Sequence, residues 1–336
     1  MRKMTTFVGI GVIGLLVACV TAWISLAIYY SGPPGDYLRA GLAGLFPLAT
    51  LAAFFALPRR DRTLCWVFVV FALILVWWTT ITPSNTRNWQ ADVAVLPYAT
   101  IAGNFVTIHN IRNFTYRTET DFDVHYYDKT FDLDKLDSVD LITVYWMGDA
   151  IAHVMLSFGF GGADYVAFSI EARKEKDEGY SSIKGFFKQY ELIYVVADER
   201  DVIRLRTDYR DPQEDVYVYR TRITPENARR LFMEYVNQIN ELKDNPEFYN
   251  TLTTNCTTNV VRHIRAFGGK ATYNWKILLS GYAPQYAYEL GRLDTSLPFD
   301  ELRKRSYINP RAHSIGNDPN FSRMIRDELP MPVSGR

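Results

Sequence analysis

The sequence predicts an α+β domain carried on three membrane-spanning helices, and three observations lead there. Three long uncharged runs occupy the first 86 residues. Six segments rich in Val, Ile, Tyr and Phe, bounded by Gly, Asp and Ser, follow between residues 141 and 220; that composition is characteristic of strands. Two helical segments with recognisable starts come after residue 224. Strands first and helices afterwards point to an antiparallel sheet with helices segregated around it.

The uncharged runs extend over Phe7–Tyr30, Ala40–Pro58 and Thr63–Thr86. A bilayer span needs about 20 apolar residues, so spans are expected near 7–30, 37–57 and 63–82, making residues 1–82 a membrane anchor. Arg2 and Lys3 precede the first span, and Arg59, Arg60 and Arg62 separate the second from the third. The positive-inside bias places both sites in the cytoplasm, so the chain after residue 82 lies outside. Trp77, Trp78 and Trp89 fit an outer aromatic belt. A second reading of the first span exists: Leu16-Val-Ala-Cys19 resembles a lipoprotein signal with a lipidated cysteine. The apolar run continuing past Cys19 opposes it, and either reading gives the same topology.

The chain is 48% hydrophobic and 15% aromatic, which excludes a disordered or collagen-like protein. It carries 37 basic and 37 acidic residues. Removing the six basic and two acidic residues of 1–82 leaves 31 and 35 for the rest, a slightly acidic remainder. Nothing here suggests a nucleic-acid partner, which usually requires a basic domain or stripe.

Residues 83–140 read as a mixed juxtamembrane region. Strand character follows at Leu141–Trp146, Ala150–Phe158, Tyr165–Glu171, Glu191–Val196, Val202–Arg206 and Val216–Arg220. A helix then starts with Thr224 as cap and Pro225 and Glu226 in its first turn. Its Ala228, Leu231, Phe232, Tyr235, Val236, Ile239 and Leu242 recur at helical spacing. A second helix is expected from about Asn255 to Gly268-Gly269. Residues 141–290 form the core of the outer domain, and 291–336 a C-terminal extension.

Of three cysteines, Cys19 and Cys65 fall inside spans, so the outer domain owns only Cys256. A leftover thiol outside the cytoplasm is either reactive, intermolecularly bonded or an inert core residue. Thr254 or Asn255 can cap the helix and put Cys256 in its first turn, where the helix dipole and free N–H groups favour a thiolate. The same N–H groups can hold an oxyanion.

A nucleophilic cysteine needs a base, normally histidine. His263 lies seven residues further along the helix, about 10 Å away by helical rise, and suits a cation near the helix end. His109, His125 and His313 are expected in polar surface loops. His153 shares one strand face with Met155 and Ser157. A hairpin symmetric about Gly162 opposes Ser157 to Ala167, Met155 to Ser169 and His153 to Glu171. Directly opposed side chains start about 5 Å apart, so Glu171 can orient the imidazole; a one-residue slip would put Ile170 there. Asp149 is the competing orienter.

Histidine and orienter on strands, with cysteine later at a helix start, is the chain order of circularly permuted papain-like folds. It resembles the lecithin:retinol acyltransferase group and permuted relatives of NlpC-type peptidases. The Ala-His153-x-x-x-Ser-Phe-Gly-Phe stretch, Ser169-Ile-Glu-Ala-Arg-Lys-Glu175 and Tyr249-Asn-Thr-Leu-Thr-x-Asn-Cys-Thr-Thr258 together resemble the Lnb family of bacterial lipoprotein N-acyltransferases. The resemblance covers about residues 90–290. It implies a permuted papain-like domain on the periplasmic face of the inner membrane. It also implies a phospholipid acyl donor and, as acceptor, the free amine of a diacylglyceryl-cysteine lipoprotein. His153, oriented by Glu171, would deprotonate Cys256 for attack on the ester and formation of a thioester. Asn255, Ser157 and Arg173 are candidates for substrate or oxyanion support, Arg173 through a phosphate head group. No cofactor is expected, and the scattered histidines offer no metal site. Two other classes remain open: a cysteine hydrolase acting on cell-wall peptides or lipids, with water as acceptor, and a non-catalytic module with Cys256 in the core.

Overall fold

A computed structural model describes residues 2–56 and 60–331. Arg59 of the basic linker and the last five residues of the C-terminal extension lie outside the described residues. The chain divides into two compact units, Met1–Ser84 with Tyr180–Tyr190, and Asn85–Gly179 with Glu191–Arg336.

The first unit is built on α1 (Arg2–Ser31), α2 (Asp36–Ala56) and α3 (Arg60–Thr80). Each contains a stretch long and apolar enough to cross a membrane, close to the expected bounds. Val17, Val20, Ile24 and Val67 are buried where the helices meet, with Trp23 edge-on to Phe71 at 5.7 Å. The Tyr180–Tyr190 segment belongs to this unit although it lies far along the chain. Phe187 stacks on Tyr30 at 5.6 Å and meets the ring of Trp78 at 6.0 Å. Lys188 Nζ donates to the carbonyls of Trp78 and Ile81 at 2.8 and 3.0 Å, closing the end of α3.

The second unit is α+β. Its strands are β1 (Tyr98–Ala102), β2 (Phe105–Arg112), β3 (Thr115–Tyr116), β4 (Phe122–Asp123), β5 (Tyr126–Asp132), β6 (Leu136–Tyr145), β7 (Ala152–Phe160), β8 (Asp164–Arg173), β9 (Glu191–Ala197) and β10 (Asp215–Arg220). Eight form one sheet in the order β1-β2-β9-β8-β7-β6-β10, with β5 also on β2; β3 and β4 make a separate ribbon. All pairs in the large sheet are antiparallel except a single parallel contact of β2 with β9. The juxtamembrane region therefore supplies β1 to β5. Their alternation is hard to read because β2 carries a bulge between Ile108 and Ile111, with Asn110 at φ +62°. Ile108 packs the sheet, whereas Ile101 and Phe105 are exposed.

One sheet face is covered by α5 (Pro225–Asp244), capped by Thr224 as expected. All seven of its expected apolar positions are buried. Phe232 and Tyr235 meet Phe158 and Phe168 edge-on. On the other face Met155, Ala167 and Val195 share a core with Val216, Val218, Ile308, Phe321 and Ile325.

The segment Val202–Arg206 is not a strand. Asp198 caps a short helix, α4 (Glu199–Val202), and Leu205–Tyr209 continues as a π-helical turn. Val202, Ile203 and Leu205 are buried by helical rather than alternating periodicity. Arg204 pairs with Asp208 at 3.0 Å across one turn.

Candidate active site

The β7–β8 hairpin turns through Gly161 and Gly162, both in the left-handed region at φ +61° and +67°. Its register pairs Ser157 with Ala167 and Met155 with Ser169, as the symmetric hairpin requires. There the ladder stops. β7 continues on β6, with Thr143 opposite Val154 and Val144 opposite His153. β8 continues on β9, with Glu171 opposite Ile193.

Helix α6 (Cys256–Ala266) starts where that ladder has ended. Asn255 is its cap: Oδ1 accepts the N–H groups of Thr257 and Thr258 at 2.9 Å each, and the Asn255 N–H donates to Thr258 Oγ1. This capping box fixes the first turn. Asn255 Nδ2 donates to the Thr251 carbonyl at 2.6 Å, so the whole amide is spent on the loop and the helix start. It is a cap, not an oxyanion donor.

Cys256 is half-buried in the first turn. Its sulfur lies 3.7 Å from Thr257 Oγ1 and faces His153 and the Val154 N–H, both of which favour its thiolate. His153 Nε2 lies 2.6 Å from Ser169 Oγ and 3.2 Å from Glu171 Oε1. Ser169 Oγ donates to the same Glu171 oxygen at 2.6 Å. With Nε2 held by Ser169 and Glu171, the other ring nitrogen is left for the thiol. Arg206 Nη2 adds a third donor to Glu171 Oε1 at 3.0 Å.

The electrostatics follow from these contacts. Burial opposes the imidazolium, but the Glu171 carboxylate and the bond to Cys256 hold the His153 pKa up at about 9. Burial also opposes the Cys256 thiolate, and hydrogen bonds from His153 and the Val154 N–H more than offset it, bringing the thiol below its ordinary value. Burial likewise works against the Glu171 carboxylate, yet His153 and Arg206 keep it well below the usual carboxylate range. The geometry places a thiol beside an imidazole oriented by a carboxylate, and such an arrangement can attack a carbonyl and return a proton to a leaving group.

Other expected residues lie elsewhere. Asp149 is exposed and paired with Arg303, leaving the orienter position to Glu171. Arg173 is 2% exposed, too deep for a head group. Its guanidinium donates to the carbonyls of Val93 and Ala94 and to Asn85 Oδ1, and lies over the Trp89 ring at 4.3 Å. Ser157 is fully buried, donating to Glu199 at 2.6 Å within a network completed by Arg326 and Asp140. His263 is not a helix-end cation. It is buried against Tyr235, with Nε2 2.7 Å from the Tyr194 hydroxyl, and burial pulls its pKa down to about 3. His109 lies on β2 rather than in a loop, 2.7 Å from Asp128 and stacked on Tyr98. His125 and His313 are exposed.

The sequence reading missed Ser169, Arg206 and the Val154 N–H. Ser169 could have been found, since alternation puts it on the face shared by Glu171. Arg206 could not, because the strand assignment of its segment was wrong.

The loops before the two reactive residues are tied by a third. Tyr273 OH donates to the Leu252 carbonyl at 2.9 Å, and the Gly281 N–H to the Ala150 carbonyl at 3.0 Å. At Gly281 a Cβ would sit 2.0 Å from the Asp149 carbonyl oxygen, so the close approach requires glycine. These three loops expose Trp146, Met147, Leu252, Tyr273, Trp275, Leu278 and Leu279.

Residues 122–284 match the family model of the Lnb N-terminal periplasmic domain. The matched stretch contains His153, Ser169, Glu171, Arg206 and Cys256. No curated protein and no solved structure matches the chain. Over this stretch the chain is similar to the Lnb-type family, and it carries that family's periplasmic domain.

Proposed function

We propose that this protein is a lipoprotein N-acyltransferase that moves an acyl chain from a membrane phospholipid to the N-terminal amine of diacylglyceryl-cysteine lipoproteins. The observation that carries the reading is the Cys256–His153–Glu171 constellation inside an Lnb-type domain, in a chain with three apolar helices. The order of histidine and carboxylate on strands before cysteine at a helix start supports a permuted papain-like core. The basic residues ahead of the first uncharged run (Arg2, Lys3) and between the second and third (Arg59, Arg60, Arg62) support a cytoplasmic N-terminus and a catalytic domain on the periplasmic face of the inner membrane. The exposed apolar residues on the loops beside the site suit an ester presented at a lipid surface.

The reaction has two halves. The Cys256 sulfur attacks the ester carbonyl, the carbonyl oxygen takes the negative charge, and the lysophospholipid leaves with the proton from His153. An acyl thioester on Cys256 and a neutral imidazole remain. The lipoprotein amine then attacks the thioester, His153 takes its proton, and the thiolate departs as the amide forms. Asn255 occupies the Thr257 and Thr258 N–H groups, which leaves the Cys256 N–H as the first-turn donor for the oxyanion.

The test is mass spectrometry of a diacylglyceryl lipopeptide incubated with phospholipid vesicles and the full chain, beside Cys256→Ala. One amide-linked acyl group gained only with the intact thiol is the expected result. Thiol-dependent free fatty acid with an unchanged lipopeptide would replace the transferase by a hydrolase. No thiol-dependent product would overturn both.

A further inference from the structure

Arg206 reaches Glu171 from the π-helical turn Leu205–Tyr209, and its side chain is 7% exposed. Nη1 donates to the Val202 carbonyl at 2.9 Å, Nε faces Glu214 at 3.9 Å, and Nη2 donates to Glu171 Oε1 at 3.0 Å. The guanidinium is thus fixed on its own segment before it meets the carboxylate. Glu171 is not enclosed to the same degree: its side chain is 29% exposed, so a rotation toward water is open to it. The oxygen that faces His153 is held from two sides, by Ser169 on its own strand and by Arg206 across from it.

Among the described residues, Tyr116 of β3 interacts electrostatically with Arg206, and Tyr235 of α5 with Cys256. His153 faces Glu171 from β7 and Cys256 faces His153 from α6, while Glu214 faces Arg206 and also lies 3.5 Å from Arg210. A guanidinium in this position has two possible effects on the imidazole, and they oppose each other. As a bare positive charge it disfavours the imidazolium. As a fork that pins the carboxylate it favours the imidazolium, by keeping Oε1 on Nε2.

We infer that Arg206 is a positioning residue for the reactive imidazole: it clamps Oε1 of Glu171 against Nε2 of His153 and acts through that carboxylate. The inference rests on the reading of Cys256, His153 and Glu171 as the catalytic groups. Arg206 itself touches neither the thiol nor the imidazole in this role.

The opposed signs make the test decisive, and neither readout depends on acyl transfer. The full chain in detergent, carrying ring-labelled histidine, is titrated by NMR, with His153 assigned by loss of its signal in His153→Asn. The rate of iodoacetamide alkylation of Cys256 is measured at pH 7 on the same samples. In Arg206→Met the His153 inflection is expected to fall by about one unit and alkylation to slow about tenfold, since one unit corresponds to a factor of ten. Arg206→Lys keeps the charge without the fork and is expected to fall between Arg206→Met and the parent. An inflection that rises in Arg206→Met assigns Arg206 a purely electrostatic effect and overturns the clamp. So does an unmoved inflection with unchanged alkylation. If Arg206→Met does not fold, parent-like titration and alkylation in Arg206→Lys overturn it equally. A parent protein whose Cys256 alkylates like an ordinary thiol would instead overturn the catalytic reading beneath the inference.

Discussion

Glu171 Oε1 lies 3.2 Å from His153 Nε2, although each residue stands two positions beyond the last rung of the β7–β8 ladder. The strands part there, β7 continuing on β6 and β8 on β9, and Cys256 at the start of α6 faces His153 beside that gap.

Removing the charge of Glu171 tests the orienting carboxylate. Glu171→Gln keeps the length and one acceptor but cannot stabilise an imidazolium. The expected result is a loss of about 10²-fold in kcat, in the range of a lost general acid–base contribution. KM for the phospholipid should change far less, because the carboxylate meets the imidazole and not the lipid. Steady-state kinetics on mixed vesicles separate the two, and an unchanged kcat would remove Glu171 from the mechanism.

The pH profile follows from the shifted pair. Below the lowered Cys256 pKa the thiol is protonated and the nucleophile is lost. Above about 9 His153 loses its proton, and the leaving oxygen has no acid. The profile of kcat/KM is therefore a bell whose alkaline limb falls near pH 9, both limbs belonging to the coupled pair. An alkaline limb near the ordinary histidine value would contradict the carboxylate's influence.

Asn255→Ala removes the cap and returns the Thr257 and Thr258 N–H groups to solvent. Loss of such a cap costs about 1 kcal/mol, read from chemical denaturation. Because Asn255 holds the first turn against Thr251, the acid limb of Cys256 alkylation should also move upward. Unchanged stability would mean that the turn is held from elsewhere.

Arg173→Met separates a structural arginine from a lipid-binding one. Three hydrogen bonds and the contact with Trp89 are lost, at a cost of about 2–3 kcal/mol for charge-assisted bonds to buried groups. The ratio of KM values for anionic and zwitterionic phospholipids should stay as in the parent. A change in that ratio at unaltered stability would restore a head-group role.

Much of this arrangement was legible from residue order. The three long apolar helices, α5 with its Thr224 cap, and the hairpin register of Met155 with Ser169 and Ser157 with Ala167 all follow from local periodicity, capping and turn residues; the direct opposition of His153 to Glu171 does not form, because the ladder ends before it. What escaped depends on burial at a distance. Arg173 and Ser157 look like polar candidates until the sheet closes over them, and the His263 pKa is pulled down by burial beside Tyr194 and Tyr235 and by the charge of Arg262. β1 and β2 were hidden by a bulge, and Val202–Arg206 has a strand's composition but winds as a helix behind the Asp198 cap.

The Tyr180–Tyr190 stretch bears on how this protein can be handled. Because it folds with the apolar helices, the polypeptide passes between the two units three times, after Ser84, Gly179 and Tyr190. Trimming the gene to begin at Asn85 would not yield a clean water-soluble domain. The product would carry Phe187, normally buried beside Tyr30 and Trp78, without its aromatic neighbours. Such a truncation calls for replacing 180–190 with a short polar turn, or for keeping detergent throughout purification.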